Sequence, residues 1–110
     1  MAVLYERMID DLLTDVKANL ILQHDEDDAL LRGVIAAAVD YAAKYQHIER
    51  YKSAKAMTPS TRQAVVMLSS HWYESRDGST GGFFADNVNA AKQVSETVNA
   101  LLRIDRVWKA

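Results

Sequence analysis

The stretch Thr58 to Gly78, TPSTRQAVVMLSSHWYESRDG, constrains the fold most, because it carries its own start and stop signals. Thr58 can accept from a free backbone N–H of a first helical turn. Pro59 follows at the first helical position, where its missing N–H costs nothing. Gly78 can take the left-handed conformation that closes a helix. Between them Ala64, Val65, Leu68, Trp72 and Ser75 recur at steps of three and four, so they share one face. Val66, Met67 and Tyr73 widen the apolar surface beyond a single stripe. A helix apolar on most sides belongs at the centre of its domain. The expectation is an all-α fold, a small bundle of about four helices around this one, with Trp72 as the largest core anchor beside Leu68, Val65, Ile35 and Leu31.

Composition supports one helical domain over residues 1–110. Hydrophobic residues make up 49% and charged residues 25%, an ordinary globular mixture, and Pro occurs once. Cysteine is absent, which excludes disulfides, thiolate metal sites and cysteine nucleophiles. No apolar run approaches the twenty or so residues of a membrane span. The opening MAVLYERMIDD places acids inside its apolar stretch and does not read as a signal peptide. The net charge of −2 lacks the basic footprint of a nucleic-acid-binding fold.

In chain order, Leu4, Met8, Leu12, Val16 and Leu20 are spaced by four. Thr14 with Asp15 also reads as a helix start. One long amphipathic helix fits this spacing; the favoured division is instead a helix over about 14–20, preceded by a looser N-terminal extension, 1–11, itself able to be helical, that covers either its own core or a partner. Gln23 to Asp28 is acidic, but counting from Asp25 the calcium-loop positions for glycine and glutamate hold Leu30 and Ala36, so an EF-hand fails. Asp27 or Asp28 is expected to cap the next helix, Ala29 to about Gln46, where Leu31, Val34, Ile35, Ala38, Ala42 and Tyr45 line one face. Gly33, costly inside a helix, suggests a close helix crossing. The polar segment 46–57 carries Arg50, Lys52 and Lys55; it is either a solvated connector or a phosphate contact.

The acids Asp25, Glu26, Asp27 and Asp28 and the bases Arg50, Lys52 and Lys55 thus stand at opposite ends of one helix, roughly 25 Å apart at 1.5 Å per residue. They cannot pair along it, but the acidic end of one copy could meet the basic end of the next. Such head-to-tail contacts make rings when the rotation closes. After the central helix, Gly78, Gly81 and Gly82 mark a flexible Gly-rich loop, 78–94 at its widest, while Asn87 to Ala110 is helical in pattern with Ser95 able to cap its best-defined turns. Phe83 and Phe84 in that loop, and Arg106 and Trp108 in the tail, are candidate docking residues for a partner. No catalytic constellation emerges: His24, His47 and His71 are scattered, and Ser70 and His71, adjacent on a helix, point about 100° apart. No catalytic, metal or cofactor-binding residue is assigned. His71 and Glu74, three apart, could bond to each other on a packing surface.

Three blocks, in order, resemble the head–tail connector (head-completion, adaptor) proteins of long-tailed bacteriophages and prophages. They are Asp15-Val16-Lys17-Ala18-Asn19-Leu20 with the acidic His24 to Asp28, then the alanine-rich helix with Tyr41 and Tyr45, then the central helix ending His71-Trp72-Tyr73-Glu74 before Arg76. Leu101, Leu102 and Arg106 resemble the short closing helix, so the likeness runs from about Leu12 to Trp108. Residues 1–11 and 78–94 depart from the pattern. The resemblance implies a structural, non-enzymatic virion protein without cofactors. Its copies would form a ring, typically dodecameric, at the head–tail junction after passing through the host cytoplasm during assembly. The ring would join the portal to the next connector or tail protein and extend the DNA channel used in packaging, without sequence-specific DNA binding and without a membrane. The alternatives are a helical DNA-packaging or DNA-binding module, or a generic helical dimerisation protein.

Overall fold

The computed structural model describes residues 2–75 and 84–107, with side chains over 5–75 and 91–107. Four helices follow one another: α1 (Ala2–Leu20), α2 (Asp28–Gln46), α3 (Pro59–Ser75) and α4 (Phe84–Arg103). Among the described residues α1 and α4 do not touch; α2 and α3 each pack on every other helix and form the middle of the molecule. Cα extents of 44 × 34 × 17 Å describe a flat slab, less than two helix diameters of about 10–12 Å thick. No described helix is long and apolar enough to cross a membrane.

The expected all-α bundle around α3 is what the chain forms. Thr58 starts α3 as its sequence predicts: the Thr61 N–H donates to Thr58 Oγ1 at 3.2 Å, and the Arg62 N–H to the Thr58 carbonyl at 2.9 Å. Ala64, Val65, Val66, Leu68 and Tyr73 are buried along α3, against Leu31, Ile35, Ala38, Val39 and Ala42 of α2 and Val98 and Leu102 of α4 in one cluster.

Several expectations are corrected. Helix α1 is continuous from Ala2, with no break at Thr14 and no loose extension over 2–11. Met8, Ile9, Leu12, Leu13 and Val16 form one unbroken buried stripe, so burial favours continuing the helix. Instead of capping, the Thr14 hydroxyl donates back to the Asp10 carbonyl at 3.3 Å, one turn earlier. Helix α4 begins at Phe84, inside the stretch 78–94 taken as loop, because no glycine or proline follows Gly82 to interrupt it. Ser95 therefore lies mid-helix and exposed rather than at a cap. Residues 76–83, including Gly78 and Phe83, and residues 108–110, including Trp108, lie outside the described residues.

Trp72 is only partly buried and packs at the edge of the cluster; the core centre is aliphatic. Gly33 is exposed, and a Cβ there would meet nothing within 4 Å, so no crossing within the described chain requires glycine. Asp27 holds the cap position of α2 but makes no side-chain cap bond. Its carboxylate instead accepts from the Tyr73 hydroxyl at the far end of α3.

Candidate assembly surface

The two ends of α2 carry the candidate residues, and each end is built differently. At the acidic end α1 closes with Ile21 in the left-handed region, φ 58. The Leu22 N–H reaches back to the Lys17 carbonyl at 2.9 Å and the Ile21 N–H to the Ala18 carbonyl at 3.2 Å, the paired bonds of a Schellman closure. Glycine is the usual residue there; an L-residue costs about 1–2 kcal/mol, and a β-branched one is a true outlier. Ile21 is 80% exposed, so burial within its own chain offers little in return.

Beyond this turn, Lys17 Nζ lies between Asp25 and Asp28, 2.9 Å from Asp28 Oδ1. The bond from Lys17 holds the Asp25 carboxyl below its ordinary value, and the same bond, with Asp28, raises the Lys17 ammonium. Asp27 takes the Tyr73 hydroxyl. Three of the four candidate acids thus have a partner in their own chain; Glu26 is exposed and shows no side-chain partner among the described residues.

The basic end is organised by Gln46, the last residue of α2, fully buried at 0% exposure. Its Nε2 donates to Thr61 Oγ1 at 2.8 Å and to the Leu102 carbonyl at 2.9 Å. Its Oε1 accepts from the Tyr51 hydroxyl, and its carbonyl accepts the Val107 N–H at 2.9 Å. Burial, and secondarily the charge of Asp105, pushes the Tyr51 hydroxyl far above its ordinary value, so it stays a donor. Asp105 in turn accepts from Thr58 and Thr61 over the start of α3. One side chain therefore ties α2, the connector 47–58, α3 and the end of α4 together. The sequence carried one sign of it: Gln46 stands four residues after Ala42, on the apolar face of α2.

The connector leaves α2 through His47, also left-handed at φ 61. Ala54 and Met57 sink into the core. Arg50, Lys52 and Lys55 are exposed, and none pairs with a carboxylate among the described residues. Between the two ends, Tyr41 stacks on Tyr45 with ring centroids 6.4 Å apart and meets the edge of Trp72 at 6.3 Å. The Tyr41 hydroxyl donates to Asn99 Oδ1 at 2.8 Å, joining α2 to α4.

Among the remaining candidates, Leu31, Ile35, Val65 and Leu68 lie in the core. Arg106 folds back rather than projecting as a tail: its guanidinium lies 5.0 Å from the Tyr45 ring centre and 2.9 Å from His47 Nε2. Phe84 is placed only as the first residue of α4. His71 and Glu74 share no bond; within their block it is Tyr73 that ties the end of α3 to Asp27. Sequence reasoning missed two cross-helix contacts holding α1 on α3: Arg62 Nε to Asp15 Oδ2 at 2.6 Å, and Asn19 Nδ2 to Ser70 Oγ at 2.8 Å.

Charged ends and a packed aliphatic core suit a structural subunit. The model of the phage gp6-like head–tail connector proteins matches residues 10–106. No curated protein and no solved structure shows a significant match. With nearly the whole chain covered in four helices, the protein belongs to the phage gp6-like head–tail connector family, structural proteins of the phage particle.

Proposed function

We propose that copies of this chain form a ring at the head–tail junction, seated under the portal, that carries the DNA channel forward and offers a platform to the next connector or tail protein. The match over residues 10–106 carries this reading. Two physical features support it. The basic connector Arg50, Lys52 and Lys55 and the acidic turn Asp25 to Asp28 lie at opposite ends of α2, the placement a head-to-tail ring contact uses. A net charge of −2 suits a channel through which DNA must slide rather than be held.

Imaging of the protein with portal complexes tests the reading: a ring stacked on the portal is expected, and mature particles lacking this polypeptide at the neck would overturn it. The three unpaired bases favour one rival, a DNA-binding or packaging module. Under that reading, duplex binding would weaken steeply with salt, the slope reporting phosphates contacted; under the ring reading, binding at physiological salt is negligible.

A further inference from the structure

The ring reading leaves open how one copy grips the next, and the following rests on that reading. An apolar hole of about 100 Å³ opens beside the basic connector. Tyr5 and Met8 of α1, Val39 and Ala43 of α2, and Tyr51 wall it, while the exposed Asp40, Glu49 and Arg50 edge it. Asp40 is already paired with Lys44 at 2.9 Å. A cavity of about 150 Å³ admits benzene, so this one suits a four-carbon aliphatic side chain.

Ile21 has the matching character. It is the most exposed large hydrophobic residue described, at 80%, and it holds a backbone conformation that favours glycine. It cannot fill the hole of its own chain: it stands sixteen residues beyond Tyr5, about 24 Å along the axis of α1. Charge favours the same meeting. Around Ile21 stand Asp25, Glu26, Asp27 and Asp28 against one Lys17; at the hole Asp40, paired with Lys44, and Glu49 stand beside Arg50, and the positive excess, Lys52 and Lys55, follows along the connector that leaves it. We infer that Ile21 of one copy of this chain is the knob that enters the Met8–Val39–Ala43 hole of the next, with the acidic turn laid on the basic connector. Knob and hole lie on different surfaces, so the contact is heterologous and propagates from copy to copy.

The absence of cysteine makes the test direct. Ile21→Cys and Glu49→Cys proteins are mixed and treated with a short bis-maleimide. The expected product joins one chain of each kind, with little product from either alone. Ile21→Gly should raise the thermal midpoint by a few degrees, because the left-handed turn is relieved, yet reduce self-association at least tenfold. Capture of Glu49→Cys by a cysteine at Leu30 or Ile104 instead would overturn the assignment of the knob. Ile21→Cys joined to itself would mean a two-fold contact and overturn the head-to-tail geometry. Rings seen by electron microscopy without the mixed product would sink this contact and leave the ring standing. No rings and no mixed product would sink both.

Discussion

The two turns that flank α2 make opposite bargains with solvent. At the acidic turn three of the four carboxylates are satisfied inside the chain, by Lys17 and Tyr73, while the apolar Ile21 stands in water. At the basic connector the apolar groups Ala54 and Met57 are buried and Tyr51 is tied to Gln46, while Arg50, Lys52 and Lys55 face water without carboxylate partners. Both turns leave their helix through a left-handed residue that is not glycine. A monomer optimised for itself has little reason to leave one end apolar and the other charged. The asymmetry makes sense where each end meets something the other can supply.

The sharpest way to break this contrast is at Gln46, on which the basic end hangs. Gln46→Ala removes the partner of the Tyr51 hydroxyl and one partner each of the Thr61 hydroxyl and the Leu102 carbonyl, which keep their bonds to Asp105. An unsatisfied Tyr51 hydroxyl costs about 1–3 kcal/mol and each of the two other bonds lost about 1 kcal/mol, so a loss of about 3–5 kcal/mol is expected in urea unfolding. A loss below about 1 kcal/mol would mean that water replaces the side chain and that the connector is not held by this knot.

That knot also marks where sequence legibility stopped. The α3 start was readable because Thr58 and Pro59 act locally: a cap needs only its own turn. The apolar faces of α2 and α3 were readable because burial follows the helical period, as Leu31, Ile35, Val65 and Leu68 show. The roles of Gln46 and Ile21 were not readable beyond the place of Gln46 on the apolar face of α2, since one depends on partners 15 and 56 residues away and the other on a backbone angle. Trp72 misled through size: the largest apolar side chain was assumed central, but its ring meets Tyr41 at the rim while small aliphatics fill the middle. The charged candidates stand at the two ends of α2. Their pairing with Lys17 and Tyr73 is tertiary and invisible to spacing.

A smaller effect is expected at the acidic turn. Lys17→Met leaves Asp25 and Asp28 facing each other without a cation and should lower the thermal midpoint at neutral pH. The sign follows from the shifts. Asp25 titrates below 3.8 when folded, so its contribution is present above that value and fades as pH falls through the lowered one. Lys17 titrates above 10.5, so its share persists until pH rises through the raised value. Melting curves of wild type and variant should therefore differ at neutral pH and converge in acid, as pH falls through the lowered Asp25 value. A gap that persists in acid would assign the effect to the Lys17 stem rather than its charge. Smaller again, and of opposite sign, Gly33→Ala on the open face of α2 should stabilise by about 0.5–1 kcal/mol, since a Cβ there meets nothing. Loss of self-association in that variant would place Gly33 against a neighbouring copy.

The smallest effect on stability carries the most about assembly. Changing Arg50, Lys52 and Lys55 together to glutamate touches no carboxylate pair and no buried atom described, so each substitution should stay within about 0.5 kcal/mol. The connector would keep its fold through Tyr51, Ala54 and Met57, and the circular dichroism and melting midpoint should be nearly unchanged. Its outward charge, however, becomes that of the acidic turn, and like charges brought together at a contact cost several kcal/mol. Sedimentation should then show a folded chain that no longer self-associates, with recovery when Asp25 and Glu26 are changed to lysine in a second protein supplied in trans. Unaltered rings from the triple variant would mean that the two turns never meet and that their opposite charges serve only the dipole of α2.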